Sequence, residues 1–227
     1  MRRCRVSVPE RLESRRLLVQ FAAADLGWAA GLVSESGSVV VRDVAVDAIG
    51  NVYAVGEFSG TGDFDPGLGK RPIAARPGET GFVAAYDPLG GVRWVSTFGS
   101  ASLDRAAYVR PMGVAVDGSG RVIVAGSYDA AGGEVNFDPG NTLAGSQSLP
   151  SAGDDGFVMK VNENGTLRWL AALAGAQSRD RVFDVAVDAA GGICVVGSAS
   201  GEIDANPAAD VKNIIPNAGG TDAFAIK

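Results

Sequence analysis

The 227-residue sequence contains no histidine and only two cysteines, Cys4 and Cys194. Without histidine, the chain lacks the commonest general base and the commonest ligand of transition metals. The two cysteines lie almost a full chain length apart, so they make no disulfide framework and do not fix the compartment. Cys194 stands in the apolar run Ile193–Val196, which indicates a small buried residue.

Long apolar runs are missing as well. No apolar segment reaches 18 residues, so a membrane-spanning helix is not expected. What is present is short apolar runs punctuated by glycine, of which there are 32, in a chain that is 46% hydrophobic. This pattern predicts a folded domain of many short strands and turns rather than a disordered polymer.

Basic residues are scarce beyond the N-terminus. The chain carries a formal net charge of −6, yet six arginines lie in its first 16 residues. The remainder is therefore strongly acidic and repels phosphate backbones, so nucleic acid is not an expected partner.

The first 25 residues have the order of an export leader. An arginine-rich segment precedes the apolar stretch Leu17–Ala24, which ends in small residues of the Ala-x-Ala type. A disordered basic tail is the alternative. The stretch Arg11–Leu18 resembles the LEPR-XLL motif of large bacterial surface and secreted proteins, with Ser14 in place of proline. The resemblance implies export, extracellular or cell-surface localisation and cleavage near Ala24.

Internal repetition dominates the rest of the chain. Asp43–Asp47 recurs as Gly113–Asp117 and as Asp184–Asp188, at spacings of about 70 residues, and each copy precedes a glycine-bearing turn and a second apolar run. This pattern predicts a β-hairpin. A second hairpin follows, with a strand around Phe82, Phe157 or Phe224 and, in the first two copies, a strand around Trp94 or Trp169.

Each unit therefore predicts a four-stranded antiparallel meander, with strands A to D. We place the units at about 43–98, 112–173 and 184–227, with strand 27–32 around Trp28 completing the last one. The fold expected for 26–227 is all-β, a β-propeller of four-stranded blades. A β-solenoid is the alternative.

The blocks Ala-Val-Asp…Gly-Asn-Val-Tyr, Gly-Phe-Val-Ala and Arg-Trp also resemble the bacterial propeller repeats called SBBP repeats. This likeness covers roughly residues 28–227. The third copy departs from the other two, because it has Asn206-Pro207-Ala208 where they have Asp-Pro-Gly.

About three blades are fewer than the four to eight of closed propellers. The sequence also stops within an apolar strand that has no polar cap. We therefore expect a partial ring, completed by further blades of a longer chain or by self-association.

Connection lengths indicate a binding face. The A–B and C–D turns have about four or five residues, whereas the B–C and D–A connections on the opposite face are long. Long connections in compact domains usually carry function. We expect an unknown protein or carbohydrate ligand at this face.

The B–C connections share an acidic turn. Asp63 and Asp65 in the first unit, and Asn136 and Asp138 in the second, can offer oxygen ligands to a weakly bound calcium ion. Asx-Pro-Gly is also an ordinary turn sequence, and we favour that interpretation. No other cofactor is expected.

Catalytic motifs are missing from the sequence: it has no G-x-S-x-G, no phosphate-binding P-loop and no C-x-x-C. The expected function is a non-catalytic scaffold or adhesion-type binding module. The alternative is a secreted polysaccharide hydrolase or lyase that uses carboxylates of the loop face.

Overall fold

The computed structural model describes residues 28–29, 31–67, 69–138, 147–151, 153–175, 179–205 and 213–227. The predicted leader lies outside these ranges. Within them the chain is all-β, so this prediction is confirmed. No helix in the described part of the chain is long and apolar enough to cross a membrane.

Eighteen strands are described. The first nine are β1 (Val33–Ser34), β2 (Val39–Val46), β3 (Val52–Phe58), β4 (Thr61–Asp63), β5 (Pro72–Ala74), β6 (Gly78–Tyr86), β7 (Val92–Ser100), β8 (Ala107–Val116) and β9 (Val122–Asp129). The others are β10 (Glu134–Asn136), β11 (Ser148–Pro150), β12 (Asp155–Val161), β13 (Leu167–Leu173), β14 (Arg181–Val187), β15 (Ile193–Ala199), β16 (Ile203–Asp204), β17 (Ile214–Ile215) and β18 (Asp222–Ile226).

Antiparallel pairing joins the longer strands in three meanders. The first meander has the order β2-β3-β6-β7, and the second has the order β8-β9-β12-β13. The third has β14-β15-β18 among the described residues. A short parallel pairing of β6 with β8 links the first two meanders, together with β10 and β11, in one ten-stranded sheet.

The segment around Trp28, predicted to complete the last unit, lies against the first meander. The Trp28 ring centroid is 5.8 Å from that of Tyr86 on β6. Val33–Ser34, just after it, pairs with β4.

Short turns within the meanders are held by a side chain at their first position. Asp47 shows the pattern, because its Oδ1 accepts the N–H groups of Ile49 and Asn51 at 3.0 and 2.8 Å. Gly50 adopts a φ of 89°, which glycine reaches without steric cost. Asp87, Asp117 and Asp188 make the same pair of hydrogen bonds in their own turns.

The long B–C connections contain hairpins rather than irregular loops. β4 pairs with β5, β10 with β11 and β16 with β17. The sequence predicts only long connections in these segments, because strands of two or three residues are too short for a period-2 pattern to appear.

The core lies between the meanders, which pack face to face. Alternate residues of β3 point to opposite sides, so Tyr53 and Val55 enter the core shared with the second meander, whereas Ala54 enters another. On β9, Val124 faces the first meander and Ile123 faces the third. The second meander is thus covered on both faces.

Candidate functional site

The first strands of the three meanders, β2, β8 and β14, each carry a bulge at the same place. The strand register shifts around Arg42, Met112 and Phe183. A bulge turns a side chain away from the regular alternation of a strand. All three bulge residues line one cleft of about 260 Å³.

The cleft draws on all three meanders. Its lining consists of Arg42, Tyr108, Arg110, Met112, Ser127, Tyr128, Asp154, Arg181 and Phe183. These residues lie near the starts of β2, β8, β14 and β12 and near the end of β9. Because the short turns lie at the other ends of these strands, the cleft lies on the face of the long connections.

Each arginine of the cleft is paired with a carboxylate. Arg42 contacts the buried Glu57 through two nitrogens, with Nε at 3.0 and 3.1 Å from its two oxygens. Arg110 contacts Glu79 at 2.8 Å, and the Nε of Arg181 donates to Asp154 at 3.0 Å.

These pairs fix where the guanidinium groups point. The hydrogen bond to Glu57, with added attraction from Glu57 and Glu79, outweighs burial and raises the pKa of Arg42 above its ordinary value. The ion pairs therefore orient the guanidinium groups, and a guanidinium has five N–H donors, more than one carboxylate engages.

Two exposed aromatic rings complete the cleft. Tyr108 and Phe183 are both exposed, and the Arg110 guanidinium lies 5.6 Å from the Tyr108 ring centroid. Apolar ring faces beside a few oriented polar groups are typical of small-molecule sites. Glu57, Glu79 and Asp154 are each engaged by an arginine.

The predicted calcium residues lie elsewhere, at the tips of the hairpins. The Oδ1 of Asp63 accepts the N–H groups of Asp65 and Arg71 at 3.1 and 2.9 Å, and Asp65 accepts that of Gly67 at 2.7 Å. In the next unit, Asn136 accepts the Asp138 N–H at 2.8 Å. These are the contacts of Asx turns.

Among the described residues, no group of three or more cysteine or acidic side chains is placed to hold a metal ion. The calcium site stays a prediction. Residues 206–208 of the third acidic turn lie outside the described ranges.

An aromatic residue inside each of the first two acidic turns belongs to the core, which the sequence patterns above do not predict. Phe64 is fully buried, with its ring centroid 4.9 Å from that of Phe82. Phe137 is also buried, and its ring centroid lies 4.9 Å from that of Phe157. The signal was an aromatic at the same position of both turns.

Hydroxyl groups tie the hairpins further to the meanders. The Tyr86 hydroxyl donates to the Phe64 carbonyl at 3.3 Å, and the Tyr128 hydroxyl donates to the Pro150 carbonyl at 3.1 Å. Burial raises the pKa of both tyrosines, so they remain donors at neutral pH. The buried rings of the acidic turns and these hydroxyl groups thus anchor the hairpins to the meanders.

A scan against protein-family models finds no matching family, and a search of the curated proteins finds no similar sequence.

Proposed function

We propose that the chain is a non-catalytic β-propeller module that binds a carbohydrate in the cleft at the first strands of its three meanders, β2, β8 and β14. A propeller is favoured because antiparallel meanders pack face to face with their first strands together. The likeness to SBBP repeats agrees with this assignment. The single observation that carries the function is the convergence of Arg42, Arg110 and Arg181 with two exposed rings.

A carbohydrate fits this chemistry better than an apolar ligand. Arginine–carboxylate pairs present fixed donors and acceptors to vicinal hydroxyl groups. The faces of Tyr108 and Phe183 can stack on the C–H face of a sugar ring. Charges are balanced within the cleft by three pairs, so a neutral sugar avoids the cost of displacing a carboxylate from its arginine.

Binding to a glycan array, followed by calorimetry with the best oligosaccharide, tests the proposal. We expect Tyr108→Ala and Phe183→Ala to weaken binding at least tenfold, which corresponds to about 1.4 kcal/mol. Leu89→Ala, an exposed residue of a short turn on the opposite face, is the matched control and should bind like the wild type. Binding that survives both aromatic substitutions, or binding to no glycan, would contradict the proposal.

We also propose that the protein is exported, to the cell surface or the medium, with loss of the leader near Ala24. The arginine-rich and apolar order of residues 1–25 and the likeness of Arg11–Leu18 to LEPR-XLL support this. Mass spectrometry of the native protein should find a mature N-terminus close to Asp25. An intact Met1 in a cytoplasmic fraction would contradict it.

A further inference from the structure

Equivalent valines on the first strands of the three meanders, β2, β8 and β14, differ sharply in exposure. Val114 and Val185 are 6% and 5% exposed because each faces the preceding meander, whereas Val44 at the same position of the first meander is 56% exposed. Val41 and Val46 beside it are exposed as well. Pro111, which is the counterpart of Val41 in the second meander, and Val187, which is the counterpart of Val46 in the third, are not exposed. These three valines define the leading face of the molecule.

The third meander shows the complementary pattern on its other side. Val55 and Ala125 are fully buried against the following meander, but their counterpart Val196 is 45% exposed. Ala186 and Ala225 are exposed too, and Cys194 is half-buried. We call Ala186, Cys194, Val196 and Ala225 the trailing face.

The chain makes the same kind of contact twice within itself. The trailing side of the first meander packs on the second, and that of the second packs on the third. The leading and trailing faces are the two halves of this contact, and both are apolar and exposed. A second copy of the chain presents the matching half to each.

We propose that two copies associate head to tail, the trailing face of each packing on the leading face of the other. Two identical contacts of this kind close a ring with two-fold symmetry. Burial of the exposed apolar side chains drives the association. The inference rests on the packing of the meanders and does not depend on what the cleft binds.

The position of Trp28 also favours a second copy of the chain as the partner that covers these faces. A Cβ on Gly90 would lie 2.9 Å from the Trp28 ring, as one on Gly165 would lie 2.9 Å from the Trp94 ring. The Trp28 segment thus holds the place beside the first meander that β7 holds beside the second. Each copy therefore carries, next to its leading face, a segment positioned to lie along β18 of the other copy.

The contact between copies contains one unfavourable pair of side chains, Asp43 and Asp184. The internal contacts pair an aspartate with a glycine: Asp43 accepts the Val114 N–H at 2.9 Å beside Gly113, and a Cβ on Gly113 would lie 2.8 Å from the Asp184 carboxylate. Between copies, Asp184 meets Asp43 instead. Two carboxylates compete for this space, so Asp184→Gly should tighten the dimer.

Sedimentation equilibrium on the full chain tests the proposal. The wild type should show a reversible equilibrium between a 23.1 kDa monomer and a species of twice that mass. Val44→Glu and Val196→Glu each spoil one face and should each be monomeric. Their equimolar mixture should associate more strongly than either variant alone, because one of the two contacts then joins an intact leading face to an intact trailing face, while the other contact carries both glutamates.

Leu89→Glu adds the same charge to an exposed residue outside both faces and should dimerise like the wild type. Circular dichroism shows whether each variant remains folded. A wild-type chain that is monomeric at every concentration would overturn the proposal. So would a dimer that survives either glutamate, since a dimer joined through like faces would be lost in only one of the two variants. A mixture that associates no more than its separate components would also overturn it, because no intact contact between a leading and a trailing face would then form.

Discussion

The indole of Trp94 on β7 lies on Gly165, in the turn between β12 and β13 of the next meander. Its Nε1–H donates to the Glu163 carbonyl at 2.8 Å, and a Cβ on Gly165 would lie 2.9 Å from the ring. Ser96, two residues on, donates to the Gly165 carbonyl at 2.5 Å. One strand of the first meander thus fixes a turn of the second.

Gly165→Ala should destabilise the protein by about 2–4 kcal/mol. The backbone at Gly165 has a φ of 87°, which disfavours alanine, and the new methyl group meets the Trp94 ring. Chemical denaturation measures the change in the free energy of unfolding.

Gly191→Ala is the matched control. Its φ is 84°, but nothing lies within 4 Å of the added Cβ, so only the backbone cost of about 1–2 kcal/mol remains. Equal losses for the two variants would show that the Trp94 contact does not constrain the turn.

Phe137→Ala should cost about 3–5 kcal/mol, the usual loss for a buried aromatic side chain. The Phe137 ring stacks on Phe98 at 5.6 Å and meets Tyr128 edge-on at 5.6 Å, so its removal leaves a cavity beneath the hairpin. Thermal unfolding gives the loss, with exposed Leu89→Ala as the control expected to stay near the wild type. A Phe137→Ala variant as stable as the wild type would contradict the anchoring role of the acidic turns.

Lys160→Met should destabilise the protein by about 1–3 kcal/mol at neutral pH. Lys160 contacts Asp117 at 2.7 Å, and both side chains are largely buried. Burial acts to raise the pKa of Asp117, but the hydrogen bonds from Lys160 and two backbone N–H groups outweigh it and lower that pKa. These interactions of Asp117 therefore contribute fully to stability above its pKa in the unfolded chain, about 3.9. Their contribution is lost as the pH falls through the lower pKa of Asp117 in the folded protein.

The difference in the free energy of unfolding between wild type and Lys160→Met should accordingly shrink as the pH falls into the acidic range. Lys227→Met removes the equivalent partner of Asp188 at an exposed site, so it should change stability little. Urea unfolding across the acidic range measures both. A difference that stays constant down to acid would exclude the Asp117 pair as its source.

Calcium should move the thermal midpoint little, consistent with at most weak, millimolar-class binding at the hairpin tips. Asp63→Asn should be tolerated, because Asn136 already makes the equivalent Oδ1 contact. Asp63→Ala should be destabilising with or without calcium, since two backbone N–H groups lose their acceptor. A large calcium-dependent rise in the midpoint, abolished by Asp63→Asn, would establish an ion site instead.

Local patterns in the sequence predicted the strands and short turns. Alternation around Val44 and Val55 predicts a hairpin, and Asp47 with Gly50 closes it, because turn residues act within a few positions of the chain. The side on which the long connections lie followed from connection lengths alone.

The cleft could not be predicted in this way. Arg42, Met112 and Phe183 share no chemistry, and only the strand bulges bring them together. The contact of Asp43 with Val114 spans 71 positions, and Gly113 gives no local sign of it. Such relationships depend on how the meanders pack.

Successive meanders pack through equivalent contacts, and the contact of Trp94 with the Gly165 turn joins the first meander to the second. Solution NMR tests it most directly, because an indole ring lying on a glycine shifts that glycine's proton resonances upfield. We expect strongly upfield Gly165 protons, a nuclear Overhauser effect from Trp94 to Gly165, and loss of both in Trp94→Leu. Gly165 protons at ordinary turn positions, unchanged by Trp94→Leu, would contradict it.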